Sequence, residues 1–286
     1  MIDPSDPFSA FAGLRDRDYA RAGLIVCEGR IVIQKALDCG IRLRSLVCVP
    51  ADEEEWRGVS AAAGPSCGFS VASMGRAEMA DLLGFSFHRG AMALADRPAP
   101  PDPAAAPAGH ALALWNVTDP DNLGALIRSA AALGASRVYL GPGCADPYSR
   151  KALRSSMACA LGLPVIPLLG IEELRLARGP SVSGDRAPAG GDRTRENGAQ
   201  AVAAGNPGNL LVAAALVPSA MEPRDVPAAA SGRPVTLLLG NEGWGLPADV
   251  VDACDGSVIV PMAGSVDSLN VGAAGAILMW ELFRHP

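Results

Sequence analysis

Short apolar runs alternate with stretches of helical spacing along the first 95 residues. Leu24–Glu28 reads as a strand. Residues 29–39 place Ile33, Ala36 and Leu37 at helical spacing and end at Gly40, a residue suited to the left-handed turn that closes a helix. Residues 46–49 read as a second strand and 51–63 as a second helix. A third strand–helix pair follows, and residues 91–95 close the unit. This alternation predicts a small α/β/α sandwich over residues 1–95.

The second half alternates as well. Residues 111–117 and 137–140 read as strands, with a helix over 121–133 between them. The continuous apolar runs at 210–214 and 235–239 have the character of parallel strands buried on both faces. Residues 257–260 read as another strand, and 268–283 as a long closing helix with Ser268 as its N-cap. The pattern predicts a parallel α/β domain over residues 110–286. Residues 96–109, with Pro98, Pro100, Pro101, Pro103 and Pro107 among alanines, form an extended linker. Residues 179–208 are rich in Gly, Arg, Asp and Asn and read as a mobile insertion, reaching to about residue 209. Residues 217–234, with four prolines, read as a third loop-like stretch.

Composition narrows the function classes. A chain of 286 residues favours two domains, and 49% hydrophobic residues supply two cores. A net charge of −6 argues against coating nucleic acid by bulk charge and leaves room for a local basic face. Lys35 and Lys151 are the two lysines; the remaining positive charge is arginine, which suits bidentate phosphate contacts. Arg30 and Lys35 on the first helix, with Arg42 and Arg44 just before the second strand, are either phosphate grips or ordinary solvated surface. Seven cysteines form no C-x-x-C pair and three histidines are scattered, so neither a zinc site nor a disulfide framework is expected. The expectation is reduced, mostly buried thiols in a cytoplasmic chain that binds no metal. The N-terminus lacks the basic and apolar regions of a signal peptide, and no apolar run reaches membrane length.

Three segments carry candidate chemistry. In residues 116–130 a strand runs through a polar turn with Pro120 into a helix whose Leu123, Leu126, Ile127 and Ala130 share one face. Arg128 stands alone among Ala and Leu. It is either a snorkelling surface residue or a charge aimed into the cleft at the strands' C-terminal edge. Asn122 in the first turn reads locally as a cap. In residues 237–247 a buried strand enters Gly240-Asn-Glu-Gly-Trp-Gly245, which is neither a dinucleotide fingerprint nor a P-loop. Its glycines permit either a tight left-handed connection or close approach to a ligand. Glu242 accepts from loop amides or an arginine, or touches substrate. In residues 259–271 a strand enters a loop bearing Ser265, Asp267, Ser268 and Asn270. The next helix is dense in small residues, for packing in its own core or against a second copy.

Together these segments resemble, in order and spacing, the motifs of the SpoU (TrmH-like) branch of the SPOUT RNA methyltransferases. The first carries Asn122, Gly124 and Arg128; the second Gly240, Asn241, Glu242, Gly243 and Gly245; the third Pro261, Met262, Ser268, Leu269 and Asn270. Residues 151–156 and 163–165 resemble that family's connecting segment and bring Arg154 into the RNA-binding set. Residues 1–95 resemble, through Glu28-Gly29 and His88-Arg89-Gly90, a substrate-binding domain similar to ribosomal proteins that bind kinked RNA. The resemblance implies a parallel α/β SPOUT domain with a trefoil knot, a rare exception to unknotted topology. It implies S-adenosylmethionine held by backbone groups around Gly240, Val260 and Leu269, with Leu239, Asn241, Gly243, Ile259, Met262 and Ser268 beside them. It implies methylation of a ribose 2′-hydroxyl of ribosomal or transfer RNA, and a homodimer formed through the catalytic domain. Arg128 is implied as proton acceptor, although a guanidinium holds its proton so firmly that orienting a phosphate and steadying a developing alkoxide is the alternative. Asn122, Glu242, Ser268 and Asn270 would hold ribose and arginine in register.

Two other functions compete with this one. A catalytically inactive RNA-binding protein of the same fold is opposed by the intact Asn122, Arg128, Glu242 and Asn270. A dinucleotide-dependent oxidoreductase lacks an early glycine fingerprint and its acidic ribose ligand.

Overall fold

The computed structural model describes residues 8, 11–12, 16–64, 66–84, 87–102, 108–177, 208–263 and 268–283. The first unit runs α1 (Asp16–Arg21), β1 (Leu24–Glu28), α2 (Arg30–Asp38), β2 (Leu43–Cys48), a 3-10 turn (Pro50–Asp52), α3 (Glu53–Ala62), β3 (Ser70–Ser73), α4 (Arg76–Leu83) and β4 (Ala91–Asp96). Strand order is β1-β4-β2-β3, with β4 antiparallel to β1 and β2, and β3 parallel to β2. Alternate residues feed the two faces. Ile25, Cys27, Leu46, Cys48, Ala91 and Ala93 join one core; Val26, Val47, Met92 and Leu94 join another with Met79 and Leu83 of α4. This is the expected sandwich. β2 begins three residues before the expected position, which puts Arg44 inside the strand; it points out while Leu43 and Ser45 point in.

The second unit runs β5 (Ala111–Leu114), α5 (Pro120–Ala132), β6 (Arg137–Leu140), α6 (Arg150–Ser155), α7 (Cys159–Gly162), β7 (Val165–Pro167), α8 (Ile171–Ala177), β8 (Leu210–Ala214), a 3-10 turn (Pro223–Asp225), α9 (Val226–Ala230), β9 (Val235–Leu239), α10 (Ala248–Asp252), β10 (Gly256–Val258) and α11 (Val271–Phe283). Among the described residues six strands form one sheet, ordered β10-β8-β9-β5-β6-β7 and parallel throughout. The central β5 and β9 are buried along their whole length, as their apolar runs require. After β7 the chain crosses back and lays β8, β9 and β10 on the other side of β5. Open α/β sheets bind ligands beyond the strand C-termini where direction reverses in this way.

Several expectations change. Residues 217–234 are not only loop: α9 starts at Val226 with Pro227 in its first turn, and its Val226 and Ala230 are buried. The closing helix starts at Val271, and its cap is Asn270 rather than Ser268. Asn270 Oδ1 accepts the N–H of Gly272 at 2.9 Å and of Ala273 at 3.4 Å. The thiols are free, but Cys27 and Cys48 alone are buried and Cys67 is exposed. Burial pushes Cys27 up to about 12. The insertion at 178–207, linker residues 103–107 and residues 264–267 lie outside the described residues.

The two units are packed together. One buried apolar cluster runs through both. Arg97, at the start of the linker, is clamped by both oxygens of Asp146 at 2.7 and 2.8 Å and lies over the Tyr148 ring. Lys35 and Cys39 of the first unit lie close over Gly162 of the second.

Candidate functional site

A cavity of about 650 Å³ opens at the C-terminal ends of β8, β9 and β10. Its volume falls in the range of small-molecule sites, about 300–1,000 Å³. Its walls are 214–217 after β8, 239–246 after β9, Ile259, Val260 and Met262 after β10, and the start of α11. Leu239, Gly240, Asn241, Gly243, Ile259, Val260, Met262, Ser268 and Leu269, the nine positions implied for the cofactor, all line it, and so does Glu242. Sequence reasoning missed 214–217, Trp244 and Leu246. The signal was available: residues 210–214 read as a strand, and parallel neighbours present their exit loops at the same edge.

The loop after β9 is a closed turn. Asn241 N–H donates to Gly245 O at 3.2 Å, and Gly245 N–H to Asn241 O at 2.9 Å. Asn241 Oδ1 accepts from the backbone of Gly243 at 2.8 Å and Trp244 at 3.1 Å, while its Nδ2 donates to Asn116 O at 2.9 Å. Asn116 reaches that position with φ 55, a left-handed conformation asparagine tolerates. Gly240 is buried, and a Cβ there would lie 2.6 Å from Gly245 O. The glycine therefore lets two stretches of backbone touch along the cavity wall.

Polar side chains of all three segments meet at the mouth. Asn270 Nδ2 donates to Asn122 Oδ1 at 3.0 Å, and Asn122 Nδ2 donates to Glu242 Oε1. With the α11 N–H groups bonded to Asn270 Oδ1, one directional relay runs from the helix N-terminus to a carboxylate. Asn122 is thus not the cap of α5. That task falls to Asp119, whose Oδ1 accepts the Asp121 N–H at 2.8 Å. This bond and the Lys151 ammonium at 3.3 Å hold the Asp119 carboxyl below its usual range. Asp121 first, then Asp119, push Lys151 up. Gly124 lets α6 approach so closely that a Cβ would overlap Ser155 Oγ. Gly275 fits α11 against α5 and β9, where a Cβ would meet Leu239 Cδ1 at 2.8 Å, so at this position the small residue serves the chain's own core.

Arg128 is not brought to the mouth. Six residues beyond Asn122, it sits about 120° around the helix and about 9 Å further along. It is exposed and makes no hydrogen bond or ion pair with the described residues. On α11, which packs on α5, Ala273, Ile277 and Trp280 are exposed, the last two by 42% and 55%.

The other RNA-binding candidates scatter. Arg30 pairs with Glu55 and Asp52 and lies over Trp56, and Arg44 pairs with Asp96 at 2.6 Å. Arg42 and Lys35 are exposed. Arg154 lines a second cavity, of about 760 Å³, between the units, with His88, Arg89, Arg150 and Lys151. Glu28, 9% exposed, bridges Arg89 at 3.2 Å and Arg154 at 3.5 Å there. Among the described residues no cluster of His, Cys, Asp or Glu is placed to hold a metal, and no helix is long and apolar enough to cross a membrane.

Known proteins resemble this arrangement. The SpoU rRNA Methylase family model matches residues 109–174 and 194–280. An uncharacterised tRNA/rRNA methyltransferase of Mycobacterium tuberculosis is 32% identical over 99% of this chain and 91% of its own. The Bacillus subtilis 23S rRNA (guanosine(2553)-2′-O)-methyltransferase RlmP is 32% identical over 64% of this chain and 61% of its own length. Two solved structures share the fold: an AdoMet-bound rRNA methyltransferase from Sinorhizobium meliloti, with TM-score 0.76, 23% identity and coverage of 100% and 97% of the two chains, and AviRb from Streptomyces viridochromogenes in complex with AdoMet, with 0.71, 24%, 97% and 96%.

Proposed function

The chain belongs to the SpoU rRNA methylase family, and from that premise we propose that it methylates a ribose 2′-hydroxyl of ribosomal or transfer RNA, using the cavity beyond β8, β9 and β10 for S-adenosylmethionine. The observation that carries this reading is the relay Asn270–Asn122–Glu242 at the mouth of that cavity. RlmP, named as a 2′-O-methyltransferase, supports the choice of acceptor. The cavity fits the cofactor: apolar side chains from β9, β10 and α11 line its depth, and the Gly240 wall brings backbone polar groups within reach of a nucleoside. S-adenosylmethionine supplies a methyl group on a sulfonium, and attack on it has to be in line and close.

The protein's part is to position. Asn122 fixes one oxygen of Glu242, leaving Oε2 to accept a hydrogen bond from the 2′-hydroxyl, orient it and receive its proton as the oxygen bonds to the methyl carbon. Ser268 offers its hydroxyl from the opposite wall. Arg128 completes the site from a second protomer: its face of α5 and the apolar Ala273, Ile277 and Trp280 of α11 form the surface a second copy covers. Its guanidinium then orients the target phosphate and steadies the developing alkoxide. Arg89, Arg150, Lys151 and Arg154 in the cavity between the units guide the RNA strand inward, and a cytoplasmic location follows from this substrate.

The test is Arg128→Ala with radiolabelled cofactor and RNA. Methyl transfer is lost while cofactor affinity stays within about a few-fold. Mixing Arg128→Ala with Glu242→Gln chains restores up to about a quarter of wild-type activity, because half the dimers then hold one intact site. Full turnover by Arg128→Ala defeats the role, and absence of rescue on mixing defeats its action across protomers.

A further inference from the structure

Trp244 is 88% exposed although it sits on the wall of the cavity. The loop enforces that exposure. Asn241 Oδ1 ties down the Trp244 N–H at 3.1 Å, the Asn241–Gly245 pair closes the turn, and Gly245 at φ 68 turns the chain back. Gly240 packs directly on the Gly245 backbone, so the turn that carries the indole is held against the end of β9. Two residues earlier on the same turn, Glu242 is fixed to Asn122. One rigid element therefore carries a polar anchor for a ribose and, beside it, an aromatic plane open to solvent.

We propose that Trp244 is the stacking platform for the nucleobase of the nucleotide that is methylated. This rests on the reading that an RNA ribose enters the cavity mouth. A nucleotide whose 2′-hydroxyl is to reach an enclosed methyl donor has to leave its helical stack, and its base then needs a new partner. An indole face accepts any base, because every base has a π face. Two other roles for the indole fit less well. A lid over the cofactor would turn its surface toward the cavity rather than leave most of it outside. The apolar face suited to a second copy is carried by α11, a different element.

The test compares wild type, Trp244→Ala and Trp244→Phe, with ribosomal and transfer RNA fractions from a strain lacking the gene. Trp244→Ala raises KM for RNA by about 10- to 100-fold, Trp244→Phe recovers most of that loss, and cofactor affinity by calorimetry moves by no more than about two-fold. RNA also quenches tryptophan emission in wild type and far less in Trp244→Phe. Weaker cofactor binding with unchanged KM for RNA makes the indole a cofactor lid and overturns the platform. Dissociation of Trp244→Ala into monomers makes it an interface residue and does the same. Unchanged kinetics in an active Trp244→Ala enzyme overturns the platform alone, whereas a wild type that places no 2′-O-methyl group on RNA overturns the functional reading as well.

Discussion

Replacing Gly240 by alanine puts a methyl group 2.6 Å from Gly245 O, 2.7 Å from Gly245 C and 2.8 Å from Leu246 Cγ. Ordinary contact begins near 3.5 Å, so the turn would have to retreat by roughly 0.8 Å. Two of these neighbours are backbone and cannot rotate away. The retreat pulls on the Asn241 N–H bond to Gly245 O, already 3.2 Å long, and loosens the turn that shapes the cavity wall. Overpacking of this kind costs about 1–3 kcal/mol, and each kcal/mol lowers Tm by about 2–4 °C in a domain of this size. Cofactor at about 100 times its Kd stabilises wild type by about 2.7 kcal/mol, a rise of about 5–10 °C. In thermal unfolding with and without S-adenosylmethionine, Gly240→Ala therefore starts lower and loses most of the cofactor-induced rise. Gly170→Ala is the control: its Cβ would meet nothing within 4 Å, it does not line the cavity, and both quantities hold. A Gly240→Ala protein that keeps the full cofactor-induced rise refutes the assignment of this wall to the cofactor.

Two further substitutions separate structure from chemistry. Asn270→Asp keeps an oxygen for the α11 N–H groups but loses the donor to Asn122; kcat/KM falls by about ten-fold or more while Tm holds, whereas Asn270→Ala also loses about 1 kcal/mol of capping. Equal activity of Asn270→Asp and wild type breaks the relay argument. The Asp119 carboxyl, held below its usual range by the Asp121 N–H and then by Lys151, stabilises the fold above its unfolded pKa of about 3.9, and that contribution disappears as pH falls through the lower folded value. Asn also caps helices, so the Tm gap between wild type and Asp119→Asn reports the charge; it shrinks on acidification from neutral pH through that window, and a gap independent of pH contradicts the account.

Much of the fold was legible because burial leaves a periodic trace. Strands β5, β8 and β9 are continuous apolar runs because both faces are covered, and the first sheet alternates between two cores. The nine positions that the resemblance implies for the cofactor were named through motifs whose glycines stand in a fixed order, and the structure sets them around one cavity. The exit of β8 was missed because nothing in 214–217 differs from ordinary loop sequence, and only the place of β8 beside β9 in a parallel sheet marks it. Ser268 and Asn270 are both good caps, and only the geometry of the α11 start chose between them.

Sequence alone therefore determined the element types, the sandwich and parallel-sheet classes, and the family motifs, because each depends on neighbours a few residues apart. Tertiary structure decided which polar groups meet. Asn122, Glu242 and Asn270 are joined across separations of 120 and 148 residues, a pairing no local pattern encodes. It also decided that Arg128, on the first motif's own helix, faces away from the mouth. Helical phase places it on the exposed face of α5, and one chain has nothing there for its charge to meet among the described residues.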